Sequence, residues 1–168
     1  MIFTEEFMEP YFSALERCKG VSQMDEHHPE GDVFNHSLQV LQWAFRETND
    51  TDLILAAMLH DVGKAVDMKG HDQVAVEMLD ERLTAKTRWL IEQHMRIWYL
   101  ILGKMKRLGK VHELINHPFL PDLVLLARWD KVGRVPGKIM NYNKQDIIDR
   151  LNKCVEKHFN KIEVEDVK

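Results

Sequence analysis

The chain has 168 residues, 45% of them hydrophobic and 30% charged, with a formal net charge of -4. That length suits one well-buried core and is short for two, and a negative balance excludes domain-wide electrostatic attachment to a nucleic-acid backbone. Two cysteines without a Cys-x-x-Cys pair exclude a zinc ribbon or a disulfide framework, and an acidic N-terminus with no apolar run longer than Leu53 to Leu59 predicts neither a signal peptide nor a membrane span.

Taken in order, residues 4–18 predict an amphipathic helix with Phe7, Met8, Tyr11, Phe12 and Leu15 on its inner stripe, ended by Gly20. After a polar stretch from Ser22 to Gly31, Phe34, Ser37, Leu38, Leu41 and Phe45 recur at helical spacing, with Asp32 placed to cap the helix. His36 follows Val33 by three and precedes Val40 by four, so it borders that buried stripe. Asp32, four residues before His36, has a second reading in which it faces the same interior.

Asp52 to Asp61 is almost continuously apolar, which predicts a helix buried on most sides that delivers His60 and Asp61 into the interior, with Gly63 as its stop. A further helix begins at His71 and turns Val74, Ala75, Met78 and Leu79 inward. Another starts near Thr84 and aligns Thr87, Ile91, His94, Trp98 and Ile101. The basic segment Gly103 to Lys110 reads as a solvated helix end or loop, or else as a phosphate-attracting lip beside a pocket.

Residues 118–130 repeat the greasy-helix design and close on Asp130 before Gly133. A last helix runs from an Asn143 cap through Ile147, Ile148, Leu151, Val155 and Phe159, leaving residues 161–168 as a loose tail. The expected fold class is therefore all-α, a single-domain helical bundle over residues 1–160. Both cysteines are expected to be reduced and packed in a cytoplasmic protein.

Buried imidazole and carboxylate are costly unless paired, and a divalent cation suits a set of them. Nine His and thirteen Asp would give roughly 0.7 adjacent His-Asp pairs by chance, so the dipeptide is weak evidence alone. Order and context add weight: a His on an amphipathic helix, His-Asp-x-Gly-Lys at the end of a buried one, two inward His, then Asp. The competing reading, a hydrogen-bonded polar cluster, needs an elaborate partner network for four buried titratable groups.

The segments EHHPEGDVFNHSLQVL (Glu26 to Leu41), AMLHDVGK (Ala57 to Lys64), the stretch Lys69 to His94, and DKVGR (Asp130 to Arg134) resemble the HD-domain metal-dependent phosphohydrolases. More narrowly, the first is similar to the HD domain appended to bacterial tRNA nucleotidyltransferases, the CCA-adding enzymes. The resemblance runs from about residue 21 to 136. CCA addition does not carry over, because the strand-borne acidic pairs of a nucleotidyltransferase domain have no counterpart here. What the resemblance implies is the hydrolytic activity of the HD module on phosphomonoesters and 2',3'-cyclic nucleotides, by metal-activated water.

Carried over position by position, the family's metal ligands fall on His36, His60, Asp61 and Asp130, with Asp61 as the bridge between two ions and His71 and His94 completing the coordination of the second ion. One or two divalent ions are expected, among Mn, Mg, Ni, Co, Fe and Zn. Lys64 matches the lysine of the HD-x-GK motif and can touch a phosphate oxygen, or serve only as a helix-end lysine. Arg134 and His28 are further substrate-binding candidates. Trp98 and Tyr99 are placed to stack on a base or to fill core, and His112, His117 and His158 lack a matching context.

The expected partner is a nucleotide or other small phosphoester, with no membrane association and no stable nucleic-acid binding. The alternative is a metal-containing nucleotide- or RNA-binding module without turnover.

Overall fold

The computed structural model describes residues 2–23, 29 and 31–166, and their side chains except at 159 and 162–166. Among these residues there are nine α-helices and no strand: α1 (Glu5–Glu16), α2 (Val33–Glu47), α3 (Thr51–Leu59), α4 (His71–Leu79), α5 (Ala85–Gln93), α6 (Arg96–Ile101), α7 (Leu108–Ile115), α8 (Leu120–Val132) and α9 (Lys144–Asp166). The all-α expectation holds. No helix among them is long and apolar enough to cross a membrane.

α3 is the hub. Every residue from Leu53 to Leu59 is buried, because α2, α5, α8, α1 and α9 all pack against it. A helix surrounded in this way needs no polar face, which is why its sequence reads as one apolar run. Asp50 caps it by accepting from the main-chain N–H of Asp52 and Leu53, and His60 follows directly as its C-cap.

Local chemistry sets the other boundaries. Asp32 is the N-cap of α2: one carboxylate oxygen accepts from Asn35 N at 2.7 Å and the other from Gly20 N at 2.8 Å. Its second reading, as a residue facing the buried histidines, is thereby set aside. Asn143 accepts from Asp146 N at 2.9 Å as expected of a cap, and α9 carries helical backbone through Asp166, into the segment read as a loose tail.

Several details depart from the sequence reading. α2 buries Val33, His36, Ser37, Val40, Leu41 and Ala44, while Phe34 and Phe45 are only partly covered. His36 thus lies in the middle of the buried face, because α3 and α8 both pack on α2. The helix expected from Thr84 to Ile101 is broken at His94 and Met95 into α5 and α6, and Ile101 is exposed. α4 turns Val76 inward as well as Ala75 and Leu79, and α7 was not anticipated. Phe7 sits at the rim, edge-on between Phe3 and Tyr11. Cys18 and Cys154 are free and buried.

Gly63 is not a helix stop. It lies inside a 3-10 turn, Val62–Ala65, that packs against α4, and a Cβ there would run into the carbonyl of His71 and stand 2.9 Å from Ala75 N. Gly133 plays the same part where α8 ends on α2: its Cβ would meet Val40 Cγ2 at 2.8 Å. Glycine at both places permits two backbones to approach more closely than any side chain allows.

The segment after α8 is held to α2 by Gln39, which is buried. Its side-chain nitrogen donates to Val135 O at 3.1 Å and its oxygen accepts from Val135 N at 2.9 Å. Gln39→Leu leaves both main-chain groups without a partner, so an expected loss of about 2 kcal/mol should appear as a lower urea midpoint at unchanged slope. An unshifted midpoint would show that the clamp contributes nothing.

Candidate metal centre

The six candidate ligands come from five elements and meet at one buried place. His36 projects from α2, His60 and Asp61 from the end of α3, His71 from the first residue of α4, His94 from the C-cap of α5 and Asp130 from the last turn of α8. All six side chains are buried.

Each of the four imidazoles is tied at Nδ1 to a main-chain oxygen. His60 contacts Ala57 O at 2.9 Å, His71 contacts Met68 O at 3.1 Å and His94 contacts Ile91 O at 2.6 Å, each three residues upstream, while His36 contacts Gly133 O at 2.9 Å across the bundle. A carbonyl only accepts, so every Nδ1 carries a proton, and Nε2 is the nitrogen that each ring can offer to a cation. All four Nε2 atoms converge on two carboxylates.

They divide into two groups that share Asp61. Its Oδ2 lies 3.5 Å from His36 Nε2 and 3.2 Å from His60 Nε2, and Asp130 Oδ1 lies 2.9 and 3.6 Å from the same two nitrogens. Its Oδ1 lies 3.2 Å from His71 Nε2 and 3.4 Å from His94 Nε2, which are 3.0 Å apart. For ligand bonds of about 2.1 Å, neighbouring donors around one ion stand about 3.0 Å apart in an octahedron and about 3.4 Å in a tetrahedron. Both groups have that spacing.

Two observations test whether a cation fits. His60 Nε2 is fully buried and makes no well-aligned hydrogen bond despite its nearby carboxylates. The Nε2 atoms of His71 and His94 face each other at 3.0 Å while both Nδ1 atoms are engaged by carbonyls, a pairing that a cation between the two rings would satisfy. The charges point the same way. Burial alone would disfavour an imidazolium at His60, yet Asp61 and Asp130 outweigh it and push the pKa up to about 10. Burial likewise works to raise the Asp61 and Asp130 carboxyls, but neighbouring His60, with Lys64 at Asp61 and His36 at Asp130, holds both well below the usual range. The centre favours positive charge, and a divalent ion on either side of Asp61 would supply it.

A hollow of about 310 Å³ opens onto the centre, lined by Asp61, Lys64, His71, Trp98, Asp130 and Arg134 together with Met95 and Lys131. Lys64 Nζ sits 3.2 Å from Asp61 Oδ2 and donates to Gln23 Oε1 at 2.8 Å. Arg134 Nε donates to Asp130 O at 3.0 Å and its terminal nitrogen lies 3.5 Å from Asp130 Oδ1. His28 lies outside the described residues. Asp32 caps α2, His117 stacks on Trp89 with centroids 3.8 Å apart, and His112 and His158 are exposed. Sequence reasoning did not anticipate Lys131 in the hollow or the role of the Gly133 carbonyl, though both stand inside the DKVGR segment.

The fold and this centre define a class that sequence comparison makes explicit: the HD domain family matches residues 33–134, and the chain belongs to it. The chain is also similar to the "Multifunctional CCA protein" of Methylococcus capsulatus, 38% identical over 80% of this chain and 37% of that protein. Proteins of the same name from Halorhodospira halophila and Thioalkalivibrio sulfidiphilus are 34% and 36% identical over 59% and 40% of this chain. The chain spans well under half the length of these relatives.

Proposed function

We propose that this HD domain is a divalent-metal-dependent phosphohydrolase that cleaves phosphomonoester or cyclic phosphodiester bonds of nucleotides. The observation that carries the reading is the shared carboxylate: Asp61 turns one oxygen to His36 and His60 and the other to His71 and His94, beneath a hollow walled by Lys64, Lys131 and Arg134. Membership of the HD family and likeness to multifunctional CCA proteins support a nucleotide-type substrate.

His36, His60, Asp61 and Asp130 would hold one ion, and Asp61, His71 and His94 a second. Such ions, when bound, activate water and neutralise charge developing on the phosphoryl oxygens. The protein's own part is to bind and orient a phosphate over that centre. Lys64 and Arg134 donate to non-bridging phosphoryl oxygens, with the Arg134 guanidinium kept in place by its bond to Asp130 O. Trp98 and Met95 form the apolar side of the hollow, against which the sugar or base rests. In the reaction water bonds to phosphorus, the ester P–O bond breaks and the departing oxygen takes up a proton.

The test uses protein stripped of metal and reloaded separately with Mn, Mg, Ni, Co, Fe or Zn, assayed on p-nitrophenyl phosphate, its bis ester and 2',3'-cyclic nucleotides. Turnover that appears only with added ion is expected. Tight metal binding without turnover on any substrate would favour a binding module instead. His94→Ala should lower the metal content from two ions to one, read by elemental analysis, since the His36 side keeps its four donors. Loss of both ions in that variant would contradict the division at Asp61.

A further inference from the structure

The chain's overall charge conceals a cationic surface beside the centre. Between Glu92 and Glu113 there is no acidic residue, and Arg96, Lys104, Lys106, Arg107 and Lys110 all fall in that interval. The structure gathers all five, with Tyr99, around one open hollow of about 410 Å³. Lys110 has an exposed ion pair with Glu113 at 3.3 Å, and Arg96 a hydrogen bond to Gln93. No carboxylate among the described residues lies within ion-pair distance of Lys104, Lys106 or Arg107. Cations held together in this way raise the local concentration of anions, even on a chain of net charge -4.

This hollow and the one over the metal centre are lined by adjacent residues of the same segment. Met95 and Trp98 line the hollow over Asp61 and Asp130, while Arg96 and Tyr99 line the cationic one. Those two pairs are neighbouring stripes at the start of the same short helix, one residue and about 100° apart. α6 is therefore the common wall. On its far side stand Lys64, Lys131 and Arg134, so positive charge runs from the centre over α6 to the start of α7. Tyr99 is half exposed on the way and offers a ring face.

We propose that this surface is a track for single-stranded nucleic acid, whose phosphorylated terminus enters the metal centre, making an oligonucleotide end rather than a free nucleotide the preferred substrate. The proposal rests on the phosphohydrolase reading for its chemistry but not for its binding. Cations spaced along a path, with an aromatic face between them, follow a phosphate backbone and stack a base without reading sequence. It revises the expectation that stable nucleic-acid binding is absent: net charge averages acidic segments such as α1 with a cationic segment that the fold keeps together.

Fluorescence anisotropy with 5'-labelled oligouridylates bearing a 3'-phosphate tests it on the whole chain. Affinity should rise with length from two to about eight nucleotides, and should fall with salt at a log–log slope of about -2 or steeper, as three or more phosphate contacts require. The triple variant K104E/K106E/R107E should bind about tenfold more weakly or worse, with its melting curve showing that it is folded. Length-independent affinity, a flat salt response, or retention on anionic phosphatidylserine vesicles without oligonucleotide binding would each overturn the track. The salt and length series on the unaltered protein decide the matter even if the triple variant fails to fold. Oligonucleotide binding without turnover on any ester would leave the track standing and remove the phosphohydrolase reading; turnover on p-nitrophenyl phosphate with no length effect would do the reverse.

Discussion

Asp61→Ala is expected to release both ions and to reduce metal-dependent turnover roughly a thousandfold, equivalent to about 4 kcal/mol of transition-state stabilisation. No other side chain is shared between the two donor groups, and none of the remaining five can substitute. His36, His60 and Asp130 would be left as one incomplete set, and His71 and His94 as two facing nitrogens. Elemental analysis after gel filtration, paired with the p-nitrophenyl phosphate assay, reads both effects. An Asp61→Ala protein that keeps one equivalent of metal and measurable activity would show that the centre is built around Asp130 instead.

The second large effect is expected far from any donor atom. Gly63→Ala places a methyl group against the carbonyl of His71 and 2.9 Å from Ala75 N. Both obstacles are backbone, so neither can rotate aside, and the 3-10 turn must separate from α4. A destabilisation of about 3 kcal/mol follows from overpacking of this kind, visible as a lower urea midpoint. Because α4 would carry His71 with it, the His71–His94 ion should be lost before the protein unfolds. Wild-type stability together with two bound ions would mean that the turn yields more easily than its packing indicates.

How much of this could be read before the structure depended on what kind of signal each feature leaves. α3 was legible because complete enclosure removes the polar face and leaves an unbroken apolar run. The residues that meet at the candidate centre were legible for the converse reason, as polar groups set into such runs. His36 was placed at an edge because the sequence shows which residues of α2 are apolar but not that α8 covers its second side. The break between α5 and α6 left no glycine or proline to mark it. α7 was hidden because Leu108, Gly109 and Lys110 are exposed and it buries only Leu114.

The least legible parts were those made by the main chain. Nothing in the identity of Ala57, Met68, Ile91 or Gly133 announces that its carbonyl orients a histidine. Gly133 was read only as punctuation, although it brings α8 against α2 and supplies the long-range anchor for His36. The basic segment reads in the sequence as a solvated helix end or loop, or as a lip beside a pocket, and which pocket it borders required knowing that α6 turns one stripe to each hollow.

That reliance on peptide oxygens sets the temperament of the centre. A carboxylate behind each imidazole would raise the ring's basicity and its grip on an ion most; a neutral amide oxygen raises them less. Affinity is then governed by the Irving–Williams order and by whichever first-row cation the surroundings provide, so occupancy should exchange readily and differ with growth medium. Such tethers also resist mutational drift, since a carbonyl survives any side-chain replacement that leaves the local backbone in place.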